Sequence, residues 1–131
     1  MPRIYLDTCI VIYVVERHPL YTAMVEARLQ SLAPNDLCYS PLVRMECLVK
    51  PFKDQDASLL QLYESFLGAQ QMLDLPRVIF DAGARLRAAH PRLKTPDAIH
   101  LAAAVHHGCT EFWTNDDRLN AIAPGLAMKV I

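Results

Sequence analysis

Asp7, Glu46, Asp97 and Asp116 are the residues of this chain best suited to chemistry, because local signals send all four to one end of a parallel sheet. Asp7 closes the run Ile4-Tyr5-Leu6-Asp7-Thr8, and Glu46 ends Ser40-Pro41-Leu42-Val43-Arg44-Met45-Glu46. Asp97 lies in Thr95-Pro96-Asp97-Ala98-Ile99-His100, and Asp116 in Trp113-Thr114-Asn115-Asp116. Carboxylates gathered without matching cations repel one another and resist burial until a hard cation neutralises them. Such a cluster reads as a divalent-metal site, and metal-assisted phosphodiester hydrolysis is the chemistry it suits best.

The elements that must position these acids follow from patterning. Ile4-Tyr5-Leu6 is a short strand feeding a helix through Ile10–Val15. Pro19 can occupy the first turn of a second helix, where Val25, Leu29 and Leu32 repeat at helical spacing. Leu37-Cys38-Tyr39 is a second strand. Ser40-Pro41 reads as an N-cap followed by proline at the first helical position, and Pro51 stops the helix running from Leu42 to Lys50. Asp54 or Asp56 opens the next, with Leu59, Leu62, Tyr63, Phe66 and Leu67 as a wide apolar stripe. Gln71 to Leu75 is a third strand. Pro76 then starts a helix that turns Ile79, Ala82, Leu86 and Ala89 inward and ends at Pro91. Thr95-Pro96 repeats the cap-plus-proline start of a helix, apolar nearly all round, that Gly108 terminates. Glu111–Trp113 and Met128–Ile131 complete five strands. Strands alternating with helices imply an α/β fold, a parallel sheet of about five strands covered by helices on both faces.

Placement explains the convergence. Ligands of open parallel sheets bind beyond the carboxyl ends of the strands, and Asp7 and Asp116 follow strands directly. Asp97 sits near the start of its helix, at the positive end of the dipole. Glu46 lies about one and a half turns into its helix, from where a longer side chain leans back toward the same edge. Taken singly, each acid reads equally well as a turn, cap or surface residue; the four together carry the argument.

The whole string resembles a PIN domain. The matching pieces are residues 5–8, 40–46, 95–104 (Thr-Pro-Asp-Ala-Ile-His-Leu-Ala-Ala-Ala) and 112–116, and their spacing is that of short VapC-like toxins of type II toxin–antitoxin pairs. The resemblance implies a three-layer PIN-like fold over residues 1–131 as one nuclease domain, and an endoribonuclease that uses Mg2+ or Mn2+. Asp7 and Asp97 match direct metal ligands, and Glu46 and Asp116 ligands of a second ion or holders of metal-bound water. Thr8 and Thr114 match small hydroxyl positions beside the cluster. Asp117 leaves the fourth acid ambiguous by one residue, and Leu119 stands where the family often has an aromatic. A small antitoxin protein is the implied partner. The apolar surface of the Leu42–Val49 and Leu59–Leu67 helices further suggests a homodimer or a partner helix.

Composition sets the remaining bounds. At 131 residues the chain can bury a proper core without staples. Cys9, Cys38, Cys47 and Cys109 form no C-x-x-C pair, which suits a reduced cytoplasm. No apolar run is long enough for a membrane span. With a net charge of −1, RNA binding must come from a local patch. Arg85, Arg87, Arg92 and Lys94 form that patch, leading directly into Asp97; an ordinary solvated face fits them as well. His100 reads as a packed neighbour of the site, Arg44 as either an RNA contact or half of an ion pair, and Trp113 as core. Two rival readings stand beside the nuclease: a non-catalytic PIN-fold interaction module, and an aspartyl-phosphate phosphohydrolase. The latter needs an acid two residues after Asp7, where Cys9 stands.

Overall fold

Five parallel strands run through the centre of the molecule in the order β3-β2-β1-β4-β5. The structure is a computed structural model that describes residues 2–123 and 126–130. Along the chain these are β1 (Ile4–Leu6), β2 (Leu37–Tyr39), β3 (Gln71–Met72), β4 (Glu111–Thr114) and β5 (Ala127–Val130), with helices α1 (Thr8–Glu16), α2 (Thr22–Leu29), α3 (Pro41–Lys53), α4 (Ala57–Gly68), α5 (Arg77–Ala89) and α6 (Thr95–His106). All three residues of β1 are buried, as are Leu37, Cys38 and Tyr39 of β2. A strand buried at consecutive positions is covered on both faces, so helices must lie on each side. The helices accordingly pack in two groups, α1 with α2, α3 and α4, and α5 with α6.

The strand order places a topological switch beside β1. From β1 the chain steps outward to β2 and β3, then crosses back to lay β4 on the other side of β1. Crevices form where successive connections leave the sheet in opposite directions, at the carboxyl ends of the two strands concerned. Those strands end in Asp7 and in Thr114-Asn115-Asp116.

Local chemistry moves several predicted boundaries. Pro19 does not begin α2, because His18 Nδ1 accepts the backbone N–H groups of Leu20 and Tyr21 and ties the segment into a turn. Pro51 does not stop α3. It sits in the last turn at the cost of one helical hydrogen bond, and the chain reverses instead at Gln55, with φ 51°. Asp56, rather than Asp54, caps α4 by accepting from Leu59 N at 3.0 Å. The third strand is two residues long; Leu73 adds one further bond, its N–H to Tyr39 O at 2.7 Å, and Asp74 and Leu75 run on outside the strand. Ala89 is exposed instead of inward, while the unassigned Gly83 is buried facing Ala98 of α6. Lys94 occupies the cap position of α6, one residue before Thr95. Ile131, the predicted end of the last strand, lies outside the described residues.

The expected apolar surface is present in a specific form. Met45, Val49 and Phe52 of α3 stand at helical spacing and are each more than half exposed, with Leu62 of α4 also exposed. No described helix is long and apolar enough to cross a membrane.

Candidate active site

The site is built from the ends of β1 and β4 inward. Asp7 caps α1 from an extended conformation, its Oδ1 accepting the backbone N–H of Thr8 at 2.8 Å. Its Oδ2 accepts the buried hydroxyl of Thr114 at 2.8 Å, which joins the last residue of β4 to the residue that follows β1. The same Thr114 oxygen accepts the backbone N–H of Asp116 at 3.1 Å. One hydroxyl thus fixes two of the four acids relative to each other.

Glu46 is reached from the opposite side. Its Oε1 accepts Thr8 Oγ1 and His100 Nε2, both at 2.7 Å. His100 is 1% exposed and its Nε2 lies 3.8 Å from Asp7 Oδ1. On its far side, Nδ1 meets Tyr5 Oη at 2.7 Å, and Tyr5 Oη meets Ser40 Oγ at 2.7 Å. A carboxylate can only accept, so Nε2–H donates to Glu46; in the neutral imidazole Nδ1 accepts from Tyr5, and Ser40 donates to Tyr5. Burial holds the Tyr5 phenol well above its usual range, which keeps that proton in place. The hydrogen bond from His100, against the effect of burial and aided by Thr8, keeps Glu46 below the usual glutamate range. Ser40 stands at the predicted cap position but spends its hydroxyl on Tyr5, not on the helix.

Asp97 differs from the others: among the described residues its half-buried carboxylate takes no hydrogen bond. Burial pushes its carboxyl above the ordinary aspartate range, and Asp7 adds to that push. His100 pulls the other way, and Asp116 and Glu46 add smaller repulsions. All three other acids therefore act on Asp97. Asp116 is lowered by Arg118, which forks it through Nε at 2.8 Å and Nη2 at 2.6 Å.

The charge on Asp97 has a measurable consequence. A carboxyl raised by the fold loses stability as pH climbs through its titration, because the folded state binds the proton more tightly than the unfolded one. Asp97→Asn is therefore expected to match the wild type at about pH 3 and to melt several degrees higher by about pH 7, in chelator. Parallel melting curves across that range would count against the repulsion.

A groove of about 560 Å3 opens over Asp97 and Asp116, walled by Arg92, Lys94 and Arg118. It divides the predicted basic patch. Arg92 and Lys94 line it, whereas Arg87 is spent on Leu93 O and Thr95 Oγ1, both at 2.9 Å. Arg85 lines a separate apolar hollow with Val78, Leu86 and Val105. Arg44 forks Glu64 and stands apart from the acids as half of an ion pair. Asp117 is exposed and does not line the groove, so Asp116 is the acid aimed at it. Removing Arg92 and Lys94 together is expected to weaken RNA binding and flatten its salt dependence. Arg87→Ala is expected instead to lower the melting temperature, and equal salt slopes in both variants would reject this division of labour.

The donor set suits a hard divalent cation, being all oxygen with one carboxylate that takes no hydrogen bond among the described residues. Among the described residues, no three His, Cys, Asp or Glu side chains are already drawn together as a ready cage. Thr8, His100, Thr114 and Arg118 hold three of the four carboxylates.

Sequence reasoning did not find the Tyr5–Ser40 part of this network or Arg118. Tyr5 lies in an apolar strand and looks like core, though its phenol needs a buried partner. Arg118 follows two acids and could have been read as their counter-ion.

A family model for the PIN domain matches residues 4–124. Among solved structures, the chain is similar to one in a toxin–antitoxin complex from Klebsiella pneumoniae, with a TM-score of 0.77 and 25% identity, covering 97% of this chain and 98% of that one. It is also similar to one in VapBC2 from Rickettsia felis bound to a promoter DNA fragment, with a TM-score of 0.76, 18% identity and 97% and 98% coverage. A third likeness is to VapC20 of Mycobacterium tuberculosis, a toxin that cleaves the sarcin–ricin loop, with a TM-score of 0.74, 13% identity and 90% and 93% coverage. No protein with a curated description matches the sequence.

Proposed function

The chain belongs to the PIN domain family, and on that footing we propose that it is a metal-dependent endoribonuclease acting as the toxin of a toxin–antitoxin pair. The observation that carries this reading is the convergence of four acids at the switch between β1 and β4, with Asp97 taking no hydrogen bond among the described residues. Asp7 and Asp97 would hold Mg2+ or Mn2+ directly, and Glu46 and Asp116 would hold a second ion or ordered water. Bound there, the ion polarises the scissile phosphate and lowers the pKa of the attacking water.

The chain's own residues do the rest. Thr114 and the backbone N–H of Thr8 fix both oxygens of Asp7. Thr8 and His100 hold one oxygen of Glu46, so the carboxylate keeps its charge and its direction. Arg92 and Lys94 offer cations to RNA phosphates along the groove. His100 positions Glu46 and is too buried to exchange protons with substrate.

The partner reading draws on the similar structures, which are toxin–antitoxin assemblies. The exposed Met45, Val49 and Phe52 stripe is the surface a partner helix or a second copy would cover. A cytoplasmic setting agrees with four free thiols.

Cleavage mapping on total RNA tests the proposal. Discrete cuts are expected with magnesium or manganese, and none in chelator. Cuts that persist in chelator, or intact RNA at every metal concentration, would reject it.

A further inference from the structure

Arg118 and Asp116 form a pair that no part of the ribonuclease reading uses. We propose that Arg118 changes partners when RNA enters the groove: the guanidinium that forks Asp116 in the RNA-free protein moves its two bonds to a backbone phosphate and leaves Asp116 open to a cation. The inference rests on that reading and names the residue that couples substrate entry to the fourth acid.

Four observations support it. The guanidinium is planar, and the fork that fits a carboxylate fits two phosphate oxygens equally well. The pair sits on the groove wall with Arg92 and Lys94, so a phosphate drawn in by those cations arrives beside Arg118. The Arg118 side chain is 78% exposed, and exposed ion pairs contribute little to stability, so exchanging one partner for another costs little. Finally, Asp116 does not depend on the guanidinium for its orientation. Its Oδ1 also accepts the backbone N–H of Arg118 at 3.0 Å, and its own N–H is held by Thr114. The carboxylate therefore stays aimed at the groove after the side chain leaves.

The exchange makes cation and guanidinium competitors for Asp116 before RNA binds, and allies afterwards. Competition for one site is reciprocal by linkage, so removing the guanidinium must strengthen cation binding to the free protein.

The test uses the full chain and its Arg118→Ala and Arg118→Gln variants with two readouts. The first is binding of a fluorescent single-stranded RNA oligonucleotide in chelator, measured against salt. The variants are expected to bind several-fold more weakly, with the slope of log K against log salt reduced by about 0.7, one phosphate contact on a single strand. The second is the midpoint of magnesium binding to the folded protein, by calorimetric titration with no RNA present. It is expected to fall several-fold in both variants. A merely structural pair would lower the melting temperature in chelator and leave the salt slope of RNA binding alone. An unchanged slope or an unchanged magnesium midpoint overturns the exchange while leaving the ribonuclease reading standing. A wild-type protein that binds no RNA overturns both.

Discussion

Asp7→Asn is expected to lower the RNA cleavage rate by roughly a thousandfold or more, with the fold intact. Losing a metal ligand removes stabilisation of charge that develops in the transition state, several kcal/mol in similar sites, and each 1.36 kcal/mol is tenfold in rate. Asparagine is the informative substitution because Asp7 also caps α1. Asparagine caps a helix as well as aspartate, so the backbone N–H of Thr8 keeps its acceptor; the charge is lost, and the amide nitrogen that replaces Oδ2 no longer accepts from Thr114. Alanine would mix in about 1 kcal/mol of helix-end stability. Asp97→Ala is expected to fall as far, for the same reason and without a cap to lose. Single-turnover cleavage of a mapped site, beside melting curves for each variant, gives the measurement. Activity within about tenfold of wild type in both variants would remove the acids from the chemistry.

Tyr5→Phe is expected to give the largest loss of stability from removing one atom, on the order of 3 kcal/mol, or roughly 10 °C in melting temperature. The phenol oxygen is shared by Ser40 and His100, and all three residues are almost fully buried. Without it, a buried hydroxyl and a buried ring nitrogen both lose their partner, and each such orphan costs about 1–3 kcal/mol. The stacking of Tyr5 on Phe112, 5.3 Å between centroids, survives in phenylalanine, so packing does not confuse the result. Urea midpoints at constant slope measure the change. The variant should also cleave more slowly, because His100, then held from one side only, positions Glu46 less firmly. A loss below about 0.5 kcal/mol, the range of an ordinary surface change, would mean the relay carries no weight.

The contrast between what sequence made legible and what it did not follows from these same residues. Asp7, Asp97 and Asp116 were readable because strand ends and helix starts are local: an apolar triplet followed by Asp-Thr, or Thr-Pro-Asp before an apolar run, announces itself within a few positions. Glu46 needed only helical geometry in addition. The network behind it joins positions 35 and 95 residues apart in sequence, and no periodicity marks a tyrosine hydroxyl that meets a histidine from another element. Ser40 was hidden by its own good cap sequence. The basic stretch from Arg85 to Lys94 looked like one patch because its charges are close in sequence. Helix geometry separates them, sending Arg87 to a loop carbonyl and Arg85 to a different face. The helix ends that moved, at Pro19 and Pro51, did so where a histidine ring or a left-handed residue supplied a stop that proline alone suggested elsewhere.

The bond between Thr114 and Asp7 closes a span of 107 residues, and this has a consequence for synthesis. A growing chain carries Asp7 well before Thr114, and β4 pairs with β1 only after all the residues between them have been made. Contacts so distant along the chain form late, since the entropy of closing the intervening loop must be met first. A nascent or prematurely terminated chain that ends before Thr114 therefore has no assembled acid cluster. For a protein read as a cutter of RNA, the ribosome and its message are spared until β4 has left the ribosome.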